Sequence, residues 1–367
     1  MPFVEEIVTL IIDGHELRGW QKVGITRSMQ NAAISFTLEA TNPTWSEEAK
    51  ALRHGKEIEI RTSPARGGGA SGGGDLLCKG YVDSYSARYS DNSKSITLSG
   101  RSKSADAIDC PPVKHKTGRV EKKTLDKVAA EFDEFGIGFK TDQQLKPIPK
   151  VQRRPDETVF STIEREARRD GLMLSAQTDG SVLLTRAGTK RHAGALQLGA
   201  SPVQTMDITV NLSNRRSPIV VRGQRATGTG KDNLRQEIEE VDQSVGRHRP
   251  LIIILEGDAP KEKLKKRGKW ERLRASGFGV SVSADLSTWR DEGGQLWDPG
   301  RLVAIVAEPE DVDQDLTLST VTFRQDIEHG TVAAVSLVDP RSHGGKKASG
   351  GKGSDQAFDP GEEFGEE

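Results

Sequence analysis

The chain has few cysteines, few aromatic residues, almost no net charge and no long apolar run. Its 367 residues include two cysteines, and aromatic residues make up 5% of them. Cys78 and Cys110 lie far apart in dissimilar contexts, so one disulfide is possible, but two unpaired, buried thiols of a reducing compartment are favoured. No apolar stretch approaches the roughly 20 residues that a membrane span needs. These absences predict a soluble protein without a disulfide framework.

The charges nearly cancel, since 53 basic residues face 54 acidic ones and the net charge is −1. That balance argues against a dominant electrostatic partner such as duplex DNA or an anionic membrane. The first residues, MPFVEEIVTLIIDG, have no basic region and carry two glutamates. They predict a strand and not a signal peptide, and therefore a protein made in a cytoplasm.

Alternation of apolar and polar residues dominates both ends of the chain. Ile34, Phe36 and Leu38 alternate with polar residues, which is typical of a half-buried strand, and Asp13-Gly14 predicts a hairpin turn. The pattern predicts an α+β, mainly β fold, in which two small β-barrel domains are separated by a small α/β domain. The predicted units are a first β-barrel domain at 1–110 with a Gly-rich loop at 66–74, an α/β domain at 111–200, a second β-barrel domain at 201–340 with a basic helix at 261–274, and a disordered tail at 341–367.

Two helices are predicted in the α/β domain from apolar residues at helical spacing. The first presents Leu125, Val128, Ala129 and Phe132, with Gly136 as its stop signal. The second presents an apolar stripe after Asp156, which could cap it, and ends at Gly171; the stripe consists of Val159, Phe160, Ile163 and Ala167. A turn at Thr178-Asp179-Gly180 then separates two strands.

The second of these helices is densely charged, with seven acidic or basic residues between Glu157 and Asp170. General acid–base catalysis needs a carboxylate whose pKa is shifted by burial or by its neighbours. Here Glu164 meets Arg168 four residues on, and Glu166 meets Arg169 three residues on, which is typical of a solvated or partner-facing helix. The pattern therefore disfavours a catalytic site.

Other signals of chemistry are weak. The segment RATGTGKDN resembles a phosphate-binding loop, but Arg225 replaces its first glycine and Asp232 replaces its hydroxyl residue, so a solvated loop is favoured. Cys110 and His115 are close in sequence but have no orienting group. The seven histidines show no metal-ligand spacing, and the two cysteines form no Cys-x-x-Cys motif. The histidines are His15, His54, His115, His192, His248, His329 and His343. The sequence also contains no Gly-x-Ser-x-Gly motif. The sequence predicts no catalytic, cofactor-binding or metal-binding residue.

Two further segments leave alternatives open. The basic helix has Leu264, Trp270 and Leu273 as apolar anchors among its lysines, and it covers a sheet edge or faces a partner; nucleic-acid contact is disfavoured. Residues 287–306 place Trp289 and Trp297 on either side of a Gly-Gly turn. These tryptophans either pack against the end of the second barrel or form a platform for a sugar.

Four stretches together resemble the baseplate hub proteins of contractile-tailed phages, specifically the Mu-like tail proteins, and the related N-terminal modules of type VI secretion spikes. The stretches are GWQKVGITRSMQNAAISFTLEAT, KGYVDSYSARYSDNSKSITLSGRSKSADAIDC, DETVFSTIEREARRDGLMLSAQTDGSVLLTRAG and WRDEGGQLWDPGRLVAIVAEP. Their order and spacing carry the resemblance, which spans about residues 1–340.

This resemblance implies a structural protein of the virion tail baseplate that is assembled in the bacterial cytoplasm. It implies a homotrimer whose paired β-domains form a pseudo-sixfold ring between the sixfold tail tube and the threefold spike. The implied partners are the spike, the tube and other baseplate proteins, and no cofactor or catalytic residue is implied. The alternatives are a peptidoglycan hydrolase, for which no acid–base pair or Cys/His site is found, and a protein that binds glycans or the cell surface.

Overall fold

The computed structural model describes most of the chain. The described residues are 5–41, 52, 55–65, 74–188, 190–211, 213–225, 230, 234–243, 245–277, 279–310 and 312–343. The predicted Gly-rich loop lies outside them except for Gly74, and the predicted tail lies outside them from Gly344 onward. Most of the segment that resembles a phosphate-binding loop, including Gly228 and Lys231, also lies outside them.

The described fold is mainly β with few helices, as the sequence predicts. The strands are β1 (Glu6–Ile12), β2 (His15–Leu17), β3 (Lys22–Ser28), β4 (Ser35–Thr41), β5 (Glu57–Pro64), β6 (Asp75–Ser90), β7 (Ser93–Ser102), β8 (Arg119–Lys123), β9 (Phe139–Thr141), β10 (Ile148–Gln152), β11 (Met173–Ala176), β12 (Val182–Thr185), β13 (Arg191–Gln197), β14 (Val203–Val210), β15 (Ile219–Gln224), β16 (Gln236–Glu240), β17 (Leu251–Asp258), β18 (Val280–Leu286), β19 (Leu302–Ala307), β20 (Val312–Asp326) and β21 (Gly330–Val338). The helices are α1 (Ala105–Asp109), α2 (Leu125–Phe132), α3 (Val159–Arg169) and α4 (Lys261–Gly277), with 3-10 turns at Glu308–Glu310 and Pro340–His343.

One 13-stranded sheet, called the large sheet below, unites the two regions predicted as separate barrels. Its first half is β1 to β7, and its second half is β13, β14 and β18 to β21. The halves join where β3 runs antiparallel to β20, with Ile25 opposite Phe323. The two-barrel prediction is not confirmed, because the described strands form no closed barrel. The physical reason for the junction is that each of these strands would otherwise leave an edge of unpaired backbone groups.

The two halves also share one hydrophobic core. It extends from Leu10 of β1 to Leu337 of β21 and includes Phe323, Phe36 and Trp289. The predicted alternation is confirmed, since Ile34, Phe36 and Leu38 are all buried. Burying apolar surface contributes roughly 25 cal/mol per Å², so a core that spans both halves holds them together.

Two glycines, Gly80 and Gly100, allow close packing of strands β6 and β7, which contain the second of the four stretches that resemble hub proteins. A Cβ atom on Gly80 would lie 2.0 Å from the carbonyl oxygen of Arg101, and one on Gly100 would lie 2.1 Å from that of Tyr81. Strands β6 and β7 approach each other too closely here for any side chain, next to a register shift between Val82 and Ser84. The Gly-Tyr-Val-Asp and Ser-Gly-Arg-Ser segments therefore form one tightly packed joint.

The middle part of the chain forms a second core around α2 and α3. The predicted apolar residues of α2 are buried, and so are Val159, Ile163 and Ala167 of α3, whereas Phe160 is half-buried. The predicted cap of α3 is wrong: Thr158, not Asp156, is the N-cap, and its hydroxyl accepts a hydrogen bond from the Ser161 backbone N–H. Strand β13, within the range predicted for this domain, instead pairs with β19 in the large sheet.

A small separate layer consists of the three-stranded sheet β16-β15-β17 with α4 packed on one face, and it is called the satellite layer below. Its core holds four fully buried residues, namely Ile219, Val221, Ala259 and Leu264. The predicted basic helix is confirmed and extends to Gly277. Gly268 is buried at the contact with the sheet, where a Cβ atom would lie 3.0 Å from Cδ1 of Ile238. This glycine permits a close approach of helix and sheet.

Candidate interaction surfaces

The glutamates on and just before the charged helix α3 form ion pairs with its arginines. Arg168 donates to Glu164 at 2.5 Å, and Arg169 donates to Glu166 at 2.6 Å, as the spacing predicts. Arg165 binds both Glu166 and Glu157. Each of these three glutamates therefore has an arginine partner. The geometry leaves the helix suited to structural support and not to proton transfer.

A buried arginine fixes the segment that leads into α3. One guanidinium nitrogen of Arg153 donates to the backbone carbonyls of Arg154, Pro155 and Glu157 at 2.8 to 3.0 Å. Glu166 is equally buried on the helix itself. Charges buried in this way are held by several hydrogen bonds because an isolated buried charge would be strongly destabilising.

The tryptophans at residues 287–306 belong to the core. Trp289 is 0% exposed and Trp297 is 3% exposed. The Trp289 indole N–H donates to the carbonyls of Arg324 and Val332, and that of Trp297 donates to the carbonyl of Thr288. The sugar-platform alternative for these residues is therefore wrong, because no face of either ring is available to a ligand.

A buried histidine–aspartate pair lies beneath the same segment. His192 Nδ1 lies 2.8 Å from Asp291 Oδ2, and the backbone N–H of Asp298 donates to His192 Nε2 at 3.1 Å. Nε2 thus carries no proton, and Nδ1–H donates to Asp291. Burial raises the pKa of Asp291, but the hydrogen bonds from His192 and from the backbone N–H groups of Gln295 and Ala193 outweigh it and leave that pKa below its ordinary value. These hydrogen bonds hold the turn that contains Asp291 and Gln295 against His192.

Ion pairs from this turn reach the first half of the large sheet. Arg290 donates to the buried Glu6 at 2.6 Å and to Asp75 at 2.6 Å. Arg27 of β3, itself nearly buried, donates to Asp298 at 2.6 Å. The segment therefore joins the two halves of the large sheet, which is a structural role that its sequence did not reveal.

Among the residues that the structure describes, the histidines and cysteines form no reactive cluster. No group of three or more His, Cys, Asp or Glu side chains suited to a metal ion occurs within the described ranges. Both cysteines are unpaired as predicted, but the prediction that both are buried is wrong, because Cys110 is exposed. Burial raises the pKa of the Cys78 thiol to about 12, so this thiol stays protonated at neutral pH.

The outer half of α4 carries five exposed lysines, and this surface is called the lysine side below. They are Lys261, Lys263, Lys265, Lys266 and Lys269. Lys263 donates to the Asp258 carbonyl, and Lys265 lies 3.7 Å from Glu262. Over the part of the chain that the structure describes, the other three have no ion-pair partner. Unlike α3, this helix presents charge that the fold does not use.

The face of the satellite layer opposite α4 is uncovered and is called the open face below. Strand register places Val220 between Glu239 and Ile252, and Arg222 between Glu237 and Ile254. Glu256 follows the two isoleucines in the same alternation on β17. Ile252 is 54% exposed and Ile254 is 74% exposed. The open face thus combines acidic residues with two exposed isoleucines.

A cleft of about 260 Å³ separates α3 from α4, and sequence reasoning did not find it. Trp270 lines it, with the guanidinium carbons of Arg267 and Arg274 at 4.6 and 5.2 Å from its ring centre. Arg168 of α3 and Met173 of β11 line the other side. A lone tryptophan within a lysine-rich helix was the available signal that this helix touches another part of the chain.

Comparisons with known proteins agree with this architecture. Residues 7–102 match the family model of the Mu phage baseplate assembly protein GpP-like N-terminal domain, and residues 104–186 match that of the baseplate hub protein gp44-like second domain. The chain is 28% identical over 343 residues to the baseplate hub protein gp44 of Escherichia phage Mu, which covers 90% of this chain and 87% of that protein.

Solved structures extend the likeness. The 43 kDa tail protein of prophage MuSo2 from Shewanella oneidensis has a TM-score of 0.79 and 27% identity, over 92% of this chain and 99% of that one. The E. coli c3393 protein, a component of the type VI secretion system, has a TM-score of 0.52 and 8% identity over 90% and 76%, so it shares the fold alone. Among the described residues, no helix has the length and apolarity to cross a bilayer. The resemblance found in the sequence is confirmed: two domain models and the curated relative show that the chain is similar to the Mu-like baseplate hub proteins.

Proposed function

We propose that this protein is the structural hub of a contractile tail baseplate. In this proposal three copies form a pseudo-sixfold ring that joins the sixfold tail tube to the threefold spike. The observation that carries it is the match along most of the chain to a protein named as a baseplate hub. The protein would be part of the virion tail, would be assembled in the host cytoplasm, and would contact the spike, the tube and other baseplate proteins.

The two halves of the large sheet support the pseudo-sixfold element of the proposal. Seven strands come from residues 6–102 and six from residues 191–338. Because each chain contributes two such halves, three copies would place six of them around one axis. The predicted division of the chain into domains, with boundaries at 110 and 200, remains a prediction.

The proposal includes a role without catalysis. The glutamates of α3 have arginine partners, and the His192–Asp291 pair is wholly buried, with side chains 0% and 1% exposed. No specific observation favours a hydrolase. The observation that favoured a sugar site was the pair Trp289 and Trp297, and both of these side chains are buried.

Electron microscopy of the purified full-length protein tests the proposal. Class averages should show a ring with threefold symmetry and six similar lobes around a central channel. Particles that each contain a single chain would contradict it, provided that the protein is also monomeric in solution at concentrations well above that used for the grid. Addition of the cognate spike protein should fill the threefold side of the ring and leave the sixfold side free.

A further inference from the structure

The two outer surfaces of the satellite layer have opposite charge. The lysine side has five lysines beside Glu262, a net charge of +4 from these residues. The open face has Glu237, Glu239 and Glu256 beside Arg222, a net charge of −2. One surface is the outside of the helix and the other is the far face of the sheet.

We propose that the open face of one copy binds the lysine side of α4 of the next copy in the ring. This inference rests on the proposed function, since it names the surfaces through which copies of the chain meet. Exposed charges of opposite sign attract and set the register of such a contact. The apolar stems of the lysines would cover Ile252 and Ile254 while their ammonium groups reach the glutamates.

The apolar part of the open face needs a cover. Strand β17 has a neighbour only on its β15 side, so its other edge is unpaired among the described strands. An edge strand that exposes two isoleucines is a site for unwanted strand pairing unless something covers it. Within the described residues nothing covers these side chains, whereas the equivalent residues on the other face, such as Val221, pack under α4.

The position of the two surfaces fits a closed ring. They differ from each other and lie on opposite sides of one layer, so a copy can offer one surface and receive the other at the same time. A contact of this kind is heterologous, and heterologous contacts produce rings when the rotation between copies closes. A symmetric pair would instead use the same patch on both copies.

Charge reversal tests the inference. Two variants each reverse one surface, namely Glu239→Lys with Glu256→Lys on the open face, and Lys266→Glu with Lys269→Glu on the lysine side. Each should weaken association at least about tenfold, because like charges would then face each other. The variant that combines all four substitutions restores opposite charges at every contact of the ring and should regain the wild-type dissociation constant.

Matched controls reverse exposed charges elsewhere. Lys150→Glu on β10 and Glu328→Lys in the β20–β21 turn are exposed and should leave association unchanged. Thermal unfolding of each variant checks the fold, since exposed substitutions typically change stability by less than about 0.5 kcal/mol. Analytical ultracentrifugation of all five proteins and the wild type gives the dissociation constants.

The outcomes separate this inference from the proposed function. Loss of association in both single-surface variants with rescue in the combined variant supports the contact. A wild-type trimer that either single-surface variant leaves intact, or that the combined variant fails to restore, overturns the contact while the trimer stands. A monomeric wild type at the highest attainable concentration overturns the trimer itself.

Discussion

The large sheet and the satellite layer are both built from β-strands, but they differ in how their apolar faces are covered. In the core of the large sheet big apolar side chains such as Trp289 and Phe323 are 0% exposed, and the exposed ones, such as Tyr89 of β6 and Val210 of β14, lie at strand ends. In the satellite layer only one face is covered, and Ile252 and Ile254 remain largely exposed on the other. The large sheet therefore covers most of its apolar surface within one chain, whereas the satellite layer leaves two neighbouring isoleucines of one face uncovered among the described residues.

The charged helices repeat this contrast. On α3 both glutamates pair with arginines of the same helix, and Glu166 is buried between Arg165 and Arg169. Arg165 also pairs with Glu157 of the segment before the helix. On α4 the lysines point away from the sheet. Both helices are rich in charge, with 5 charged residues among 11 in α3 and 10 among 17 in α4, so a high charge content alone does not distinguish a scaffold from an interface. The pairing of those charges does.

The largest expected effect is at the joint between β6 and β7. Gly100→Ala should lower the free energy of unfolding by about 3 kcal/mol, since its Cβ would lie 2.1 Å from Tyr81 O and 2.5 Å from the Phe36 ring. Gly24→Ala in β3 is the matched control, because the nearest atom to its Cβ is Thr37 O at 3.9 Å. Chemical denaturation measures both. Equal effects at the two glycines would contradict the close approach.

A smaller and local effect is expected in the satellite layer. Leu264→Ala should cost about 2 kcal/mol, at the lower end for a buried leucine, because the small core around it can relax. Hydrogen exchange should become faster in α4 and in β15 to β17 and stay unchanged in the large sheet. Uniformly faster exchange across both regions would show that the satellite layer unfolds only with the rest of the chain.

The smallest effect concerns acid stability of the middle unit. Burial raises the pKa of Asp179, but hydrogen bonds from Lys140 and Ser181 outweigh it and lower that pKa to about 2. A carboxyl whose folded pKa is depressed contributes stability above its unfolded pKa and loses it as pH falls. Stability should therefore decline between about pH 4, near the ordinary pKa of Asp, and pH 2. Asp179→Asn should flatten this decline, whereas Asp156→Asn, at an exposed position, should not.

Local features of the fold were predictable from the sequence, and non-local ones were not. The pairing of Glu164 with Arg168 follows from helical spacing. The burial of Trp289 depends on carbonyls of Arg324 and Val332, which are 35 and 43 residues away in sequence. The junction of β3 with β20 links residues nearly 300 positions apart, as in the contact between Thr26 and Thr322. No local pattern specifies such pairings.

The capping of α3 and the open face show two further limits. Asp156 and Thr158 are both good cap residues, so local sequence does not distinguish them. In the structure Thr158 is the cap, and the buried Arg153 binds carbonyls of the segment that precedes it. The run Leu251 to Leu255 is apolar throughout, yet Ile252 and Ile254 on one side of it are exposed.

Light scattering during size-exclusion chromatography tests the central claim most directly. The account predicts a molar mass of about three times the 39.9 kDa of one chain, and a trimer that persists on dilution to micromolar concentration. A mass of 39.9 kDa at every concentration would contradict a hub that forms its own ring.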